Sequence, residues 1–423
     1  MAKITKRDKD SITIELTIKL EGDMFAMEKQ ISSSLNGAGI IATKEALQKF
    51  DADGSPIKIG PVKYTSKGKS CEKYETPYGP VDVDRHTYQN SDGGVTYVPL
   101  EHGARLILNS TPLFARQVSF MYASFGANMV ARAFMESNGR SVSNSYIKNL
   151  VDTIGAIAEA KEDGWKYELP EHDEDVASAA ISLDGTCMLM KEDGWRVAMV
   201  GSISLYTKEG ERLFSLYTGS SPEYGKEKFM AKLEREIKRI KELYPNIHYS
   251  GVADGAKENW DFLKPHVDSE TLDFYHASEY VSDFGKILHK ENECKRESWL
   301  RESLHNLKHM SGAAENLLKE FVAFRSSVKD KKTKEEADRI ITYFKNHKHQ
   351  MMYSKNLENN LPIGSGVIEA ACKTLIKSRM CYSGMAWKDK GATAVITLRA
   401  LVLTSNRWDQ FWQKYTTYGY HAA

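Results

Sequence analysis

The chain has 423 residues, 41% of them hydrophobic and 27% charged, with a formal net charge of +1. That length exceeds one ordinary core, the composition is that of a folded chain, and no apolar run approaches the ~20 residues that span a bilayer. A charge near zero speaks against a uniformly basic nucleic-acid binder, but the sum hides an order: residues 1–170 carry 0, residues 171–280 carry −8 and residues 281–423 carry +9.

The opening MAKITKRDKD is charged and lacks the apolar core of a signal peptide. Cys71, Cys187, Cys294, Cys372 and Cys381 form no CxxC pair, which argues against a zinc ribbon or a disulfide framework and fits a reducing cytoplasm. Residues 11–20 alternate like a strand or a short amphipathic segment. Residues 22–50 read as helix up to the turn-rich DADGSP, and residues 60–100, with turn signals YGP and SDGG, read as a small β-rich module of hairpins. Residues 103–160 are mostly helical. Within them a helix ends at Asn138-Gly139, and a second, capped by Ser141 or Ser143, runs to about 154. This is helix-turn-helix spacing, and also that of any helical hairpin.

An acidic linker is expected at 163–175. Beyond it, runs at 176–190, 195–207 and 211–219, separated by KEDG and KEG, predict an antiparallel meander. A Lys- and Glu-rich amphipathic helix at 222–244 stops at Pro245. A strand at 247–253, a helical stretch and a strand at 272–277 follow. The order β-β-β-α-β-α-β-α predicts a mixed sheet with helices on its faces, of ribonuclease-H-like order. Residues 278–355 read as all-helical, an insertion before the loop LPIGSG (361–366) and a helical segment at 367–404. The expected division is 1–60, a β-rich 61–102, a helical 103–170, a first core part 171–277, the insertion 278–355 and a second core part 356–423.

Asp184 follows an apolar run and precedes Gly185, and Asp254 ends the strand at 247–253 and precedes Gly255. Each Asp-Gly alone also fits a turn. As a pair on the first and fourth strands, which lie side by side in this order, the two carboxylates would repel unless a divalent cation bridged them. Glu369 opens the helix after the glycine loop, with Cys372, Lys373, Ile376 and Lys377 at i+3, i+4, i+7 and i+8. Lys373, Lys377 and Arg379 add positive charge suited to a phosphate backbone. Phosphodiester chemistry needs an activated oxygen nucleophile and a stabilised leaving oxyanion. Two Mg²⁺ or Mn²⁺ ions about 3.5–4 Å apart supply both, held by oxygen ligands.

These residues resemble the DDE transposases of bacterial insertion sequences, most closely the ISKra-type group. The resemblance rests on ISLDGT (181–186), GVADGAKENW (251–260), FYHASEYV (274–281), PIGSGVIEAACKTLIKSRM (362–380), SGMAWKDKGA (383–392) and LRALVLTSNRWDQFW (398–412), and covers roughly residues 100–412. It implies Asp184, Asp254 and Glu369 as the metal-binding catalytic triad, with a helical insertion between the second Asp and the Glu. Asp273 and His276 match a D-x-x-H signature, which implies a DNA contact for His276. Trp299 lies where related transposases stack a tryptophan on an unpaired base; helix packing is the competing role, and packing is assigned to Trp260, Trp387, Trp408 and Trp412. Many relatives carry a cysteine pair near residues 85–100. This chain has none there, so the helix-turn-helix is the better candidate for reading DNA ends.

The expected protein is a bacterial, cytoplasmic and nucleoid-associated transposase without membrane contact. It would bind double-stranded DNA at element ends and target as a homodimer, and cut and join strands. The alternatives are a metal-dependent structure-selective nuclease on the same fold and a DNA-binding regulator derived from a transposase.

Overall fold

The computed structural model describes residues 2–90, 93–162, 164–223 and 226–420. Ser91 and Asp92 of the SDGG turn, and Asp163 at the head of the acidic linker, lie outside them. The chain divides into two compact units. One runs to Glu168 and takes in Thr393–Val402 and the segment from Arg407 onward; the other comprises Leu169–Ala392 and Leu403–Asn406. The three N-terminal segments expected from the sequence therefore pack as one unit, and the expected second core part, 356–423, is shared between the two.

The first unit opens with an antiparallel hairpin, β1 (Ala2–Arg7) and β2 (Ile12–Leu16), followed by α1 (Met24–Gln48). Asp23 starts α1 by accepting from Ala26 N at 2.8 Å. A four-stranded antiparallel sheet follows in sequential order: β3 (Ile57–Ile59), β4 (Val62–Thr76), β5 (Gly79–Asn90) and β6 (Gly93–Tyr97). Its buried face carries Tyr74, Val81 and Val83 against Leu47 of α1, the period-2 pattern of a half-buried sheet.

Four helices complete this part: α2 (Pro99–Gly103), α3 (Pro112–Ser124), α4 (Ala127–Asn138) and α5 (Asn144–Lys161). Gly139, at φ 63°, ends α4 in the left-handed region. Ser143 caps α5, its Oγ accepting from Tyr146 N at 3.2 Å. Helix α5 runs one to two turns past the expected end, because Ile154, Ile157 and Ala158 extend its buried stripe.

The second unit begins with β7 (Ser178–Met190), β8 (Gly194–Tyr206) and β9 (Arg212–Ser220), the expected meander. There follow α6 (Glu227–Leu243), β10 (His248–Ala253), α7 (Lys257–Leu263), β11 (Ser269–Leu272) and α8 (Phe274–Leu288). The sheet order is β11-β10-β7-β8-β9, with β10 parallel to both β7 and β11 and the meander antiparallel. Ala179, Ile181 and Leu183 of β7 share one face with the α6 row Phe229, Leu233, Ile237 and Ile240, all in one core. The α6 spacing of i, i+4, i+8 and i+11 is that of a single buried helix stripe.

Residues 274–277, expected as the end of a strand, are instead the first turn of α8. Asp273 caps it, accepting from Tyr275 N at 3.2 Å and His276 N at 3.4 Å. A capping carboxylate offers the backbone a helical start that outweighs the strand propensity of Phe and Tyr.

Next come α9 (Glu293–His309), α10 (Ala313–Ser327), α11 (Lys331–His347) and α12 (Tyr353–Glu358), so the expected insertion is helical. It has no separate core: Phe284, Leu307, Leu317, Phe321, Ile340 and Phe344 belong to the same buried cluster as the sheet. Residues 367–404 are not one helix. Helix α13 (Gly366–Ala371) passes through a π-helical turn (Cys372–Lys377) into α14 (Ser378–Met380), and a loop precedes α15 (Asp389–Leu403) and α16 (Arg407–Tyr418). Gly384 in that loop, at φ 76°, is incompatible with a continuous helix. No helix among the described residues is long and apolar enough to cross a membrane.

Candidate active site

Asp184 does not end its strand; it sits in the middle of β7, opposite Val200 of β8. Its other flank matters more. β10 pairs with β7 only from His248↔Ser178 to Gly251↔Ile181, every pair 70 residues apart. Asp254 and Asp184 differ by the same 70, so continuing the register sets them level, just past the end of β10. Alternation puts Asp184 on the face of Ala180, and Asp254 extends the row of Val252, which shares a buried cluster with Ala180. This is the face away from α6, and α13 with its π turn packs against β7 and β8.

Each acid is held differently. Asp184 Oδ1 accepts from Gly185 N at 2.6 Å, and the Cys372 thiol reaches its Oδ2 at 3.7 Å. Asp254 Oδ1 accepts from Ala256 N at 3.1 Å and Asn259 Nδ2 at 3.0 Å. Glu369, exposed in the first turn of α13, accepts from Ser365 Oγ at 2.9 Å through Oε1. Asp273, His276 and Glu369 each offer a ligand atom within 4.8 Å of the others. Among the described residues, none of these four carboxylates pairs with Lys or Arg; the nearest basic group is the His276 imidazole, 3.9 Å from Asp273 Oδ2.

Burial raises the Asp184 carboxyl above its usual range, the Gly185 N–H opposes this, and the Asp254 charge raises it further. Burial, then the Asp184 and Glu369 carboxylates, push the Cys372 thiol up. The Asp254 charge acts on Asp184, and the Glu369 charge on Cys372. Among the described residues, however, the group whose ligand atoms lie within 4.8 Å of one another is Asp273, His276 and Glu369, and not the expected Asp184, Asp254 and Glu369. Crowded acids with oxygen donors and no Lys or Arg partner among the described residues suit a hard divalent cation.

A raised carboxyl contributes stability that is present below its unfolded value and lost as pH rises through its folded value. In EDTA at pH 7.5, Asp184→Asn is therefore expected to melt a few degrees above the wild type, with the gap closing towards pH 4. Added Mg²⁺ should raise the wild-type melting temperature and leave the variant nearly unmoved. A wild type more stable than Asp184→Asn in EDTA would contradict the crowding.

The other expected contacts divide. Lys373 and Lys377 are exposed at i+4 and i+8 from Glu369, and neither forms an ion pair among the described residues. Cys372 and Ile376 are buried instead, so the shared face is narrower than expected. Arg379 departs from expectation: it is 1% exposed, with its guanidinium 5.2 Å from the Trp387 ring centroid. Its charge is used in packing and is not offered to a surface. Trp299 packs on Phe284 and the backbone at Gly285, and its Nε1 donates to Glu320 at 2.8 Å, which is the helix-packing role.

Two features were not found from the sequence. Gly255 looked like half of a turn, yet a Cβ there would meet the Tyr343 ring at 2.8 Å, so the glycine admits an α11 side chain beside Asp254. Tyr343 in turn stacks on Tyr280 of α8 at 3.6 Å. The π turn that begins at Cys372, three residues after Glu369, also had no sequence signal, although such turns recur at functional sites. Neither a protein-family model nor a curated protein sequence matches this chain.

Proposed function

We propose that this protein is a DNA transposase of the DDE kind, built on a ribonuclease-H-like catalytic core. The observation that carries the reading is the register of the parallel pair β7 and β10, which, continued past the end of β10, sets Asp254 level with Asp184. The strand order and the motif residues quoted above support it.

Asp184 and Asp254 would hold two Mg²⁺ or Mn²⁺ ions jointly, and Glu369 would complete one site. The donor set fits, being carboxylate oxygens with no Lys or Arg partner among the described residues. When bound, such ions activate an oxygen nucleophile and neutralise charge on the leaving oxygen. The protein's own part is to hold these acids in place: Asn259 orients Asp254, and Ser365 orients Glu369. His276, whose ring nitrogen lies within 4.8 Å of ligand atoms of Asp273 and Glu369, would contact a phosphate near the cut.

The pair α4 and α5 would read element ends. Exposed Asn144, Ser145, Lys148 and Asn149 at the start of α5 supply donors and acceptors for base edges. A homodimer fits the need to hold two ends together, and the nucleoid of a bacterial cytoplasm is the fitting location.

Lys373 and Lys377 would meet phosphate. Their double alanine variant should lower the slope of log affinity against log salt by about two units, roughly one per contact. An unchanged slope would remove both from the DNA path. The function itself is tested by incubating the protein with labelled end DNA and Mg²⁺. Joined strands support a transposase, cleavage without joining indicates a nuclease, and specific binding with neither indicates a regulator.

A further inference from the structure

We infer that Asp273 is a positioning residue that fixes the two halves of the acidic site against each other. This rests on the reading of that site as a divalent-cation centre. The halves come from distant segments: Asp254 directly follows β10, and Glu369 lies 115 residues further on, beyond all the helices of the insertion. Something must set their separation.

Asp273 is 1% exposed and touches both halves. Its own N–H donates to Ala253 O at 2.9 Å, one residue before Asp254. Its carboxylate starts α8 and, through Oδ1, also accepts from Ser365 N at 3.0 Å. The Ser365 hydroxyl donates to Glu369 Oε1 at 2.9 Å. Beside this chain, Phe274 N donates to Ile363 O at 3.0 Å, a second tie between the start of α8 and the loop before α13.

A capping aspartate needs only the N–H groups of its own helix. The donor from Ser365, 92 residues away, goes beyond capping. It converts a local helix start into a strut from the end of β10 to the glutamate. Because the strut is buried, the Ser365 N–H cannot exchange its partner for water, so its geometry is stiff. The same carboxylate starts the helix turn that carries His276, whose ring lies within 4.8 Å of ligand atoms of Asp273 and Glu369. Two N–H groups on Oδ1 and one on Oδ2 hold the Asp273 carboxylate in place between α8 and the loop before α13.

The test is a calorimetric titration of the full-length chain with Mn²⁺, with melting temperature and DNA affinity measured on the same preparations. Ser365→Ala keeps the N–H that Asp273 accepts and removes the hydroxyl that Glu369 accepts. Ser365→Thr restores a hydroxyl, and Asp273→Asn removes the charge. Outer groups that orient metal ligands typically change affinity by ~10–100-fold. The expected result is a Mn²⁺ affinity roughly tenfold weaker in Ser365→Ala, at least as weak in Asp273→Asn and near wild type in Ser365→Thr, with the Ser365→Ala melting temperature and DNA affinity unchanged. Wild-type Mn²⁺ affinity in Ser365→Ala and Asp273→Asn, alongside a clear loss in Glu369→Gln, would overturn the positioning role and leave the cation centre standing. Absence of Mn²⁺ binding by the wild-type chain would overturn both.

Discussion

Asp184→Asn and Asp254→Asn are each expected to reduce DNA cleavage and joining by roughly a thousandfold or more, because a lost cation removes several kcal/mol of transition-state stabilisation at 1.36 kcal/mol per tenfold. DNA affinity should change little. The proposed DNA contacts, Lys373, Lys377 and the start of α5, lie on other elements, and asparagine adds no bulk. The pair is more informative than either variant alone. Continued past the end of β10, the register sets the two acids level, so both should fall by similar factors and the double variant by little more, as for groups that act as one unit. Rates are read by gel with labelled end DNA, and affinity by titration of the same DNA. Retained cleavage in either variant would remove that residue from the site. Lost DNA binding in both would mean that the acids hold up the fold and do not serve the chemistry.

The second large effect concerns stability. Phe284 of α8 is fully buried, its ring 4.0 Å from Phe321 of α10 and 5.2 Å from Phe324, in the cluster that also holds the sheet's Ile181 and Leu183. Phe284→Ala should cost about 3–5 kcal/mol, the range for truncating a buried aromatic. Because helices and sheet share one core, that loss should shift a single unfolding transition of the whole second unit in chemical denaturation. Two transitions, with the sheet's unmoved, would mean that the helices after β11 form an independent domain.

Local rules made much of this fold legible in the sequence. KEDG and KEG marked the turns of the meander, Pro245 marked the end of α6, and Asn138-Gly139 with Ser143 marked the turn between α4 and α5. What stayed hidden was non-local. Nothing around Asp184 says where β10 stops pairing, so the residue read as a strand end although it lies mid-strand. Asp273 read as part of a strand because Phe274 and Tyr275 favour strands, while its capping role and its partner Ser365 depend on the assembled site. Arg379 read as a surface group, and Trp299 as either a base-stacking or a packing residue, because periodicity does not reveal what packs against them. The charge order has the same character. The acidic block at 171–280 contains Asp184, Asp254 and Asp273, whereas the basic block at 281–423 contains both the exposed Lys373 and Lys377 and the buried Arg379.

The central claim is that this acidic site cuts and joins DNA strands. It is tested most directly by incubating the wild-type protein and Asp184→Asn with Mg²⁺ and labelled DNA carrying the sequences that flank the gene, then resolving the products on a denaturing gel. The account predicts nicked ends and longer joined strands with the wild type, both lost in EDTA and in Asp184→Asn. Absence of any Mg²⁺- or Mn²⁺-dependent cleavage by a wild-type protein that binds the same DNA would contradict it.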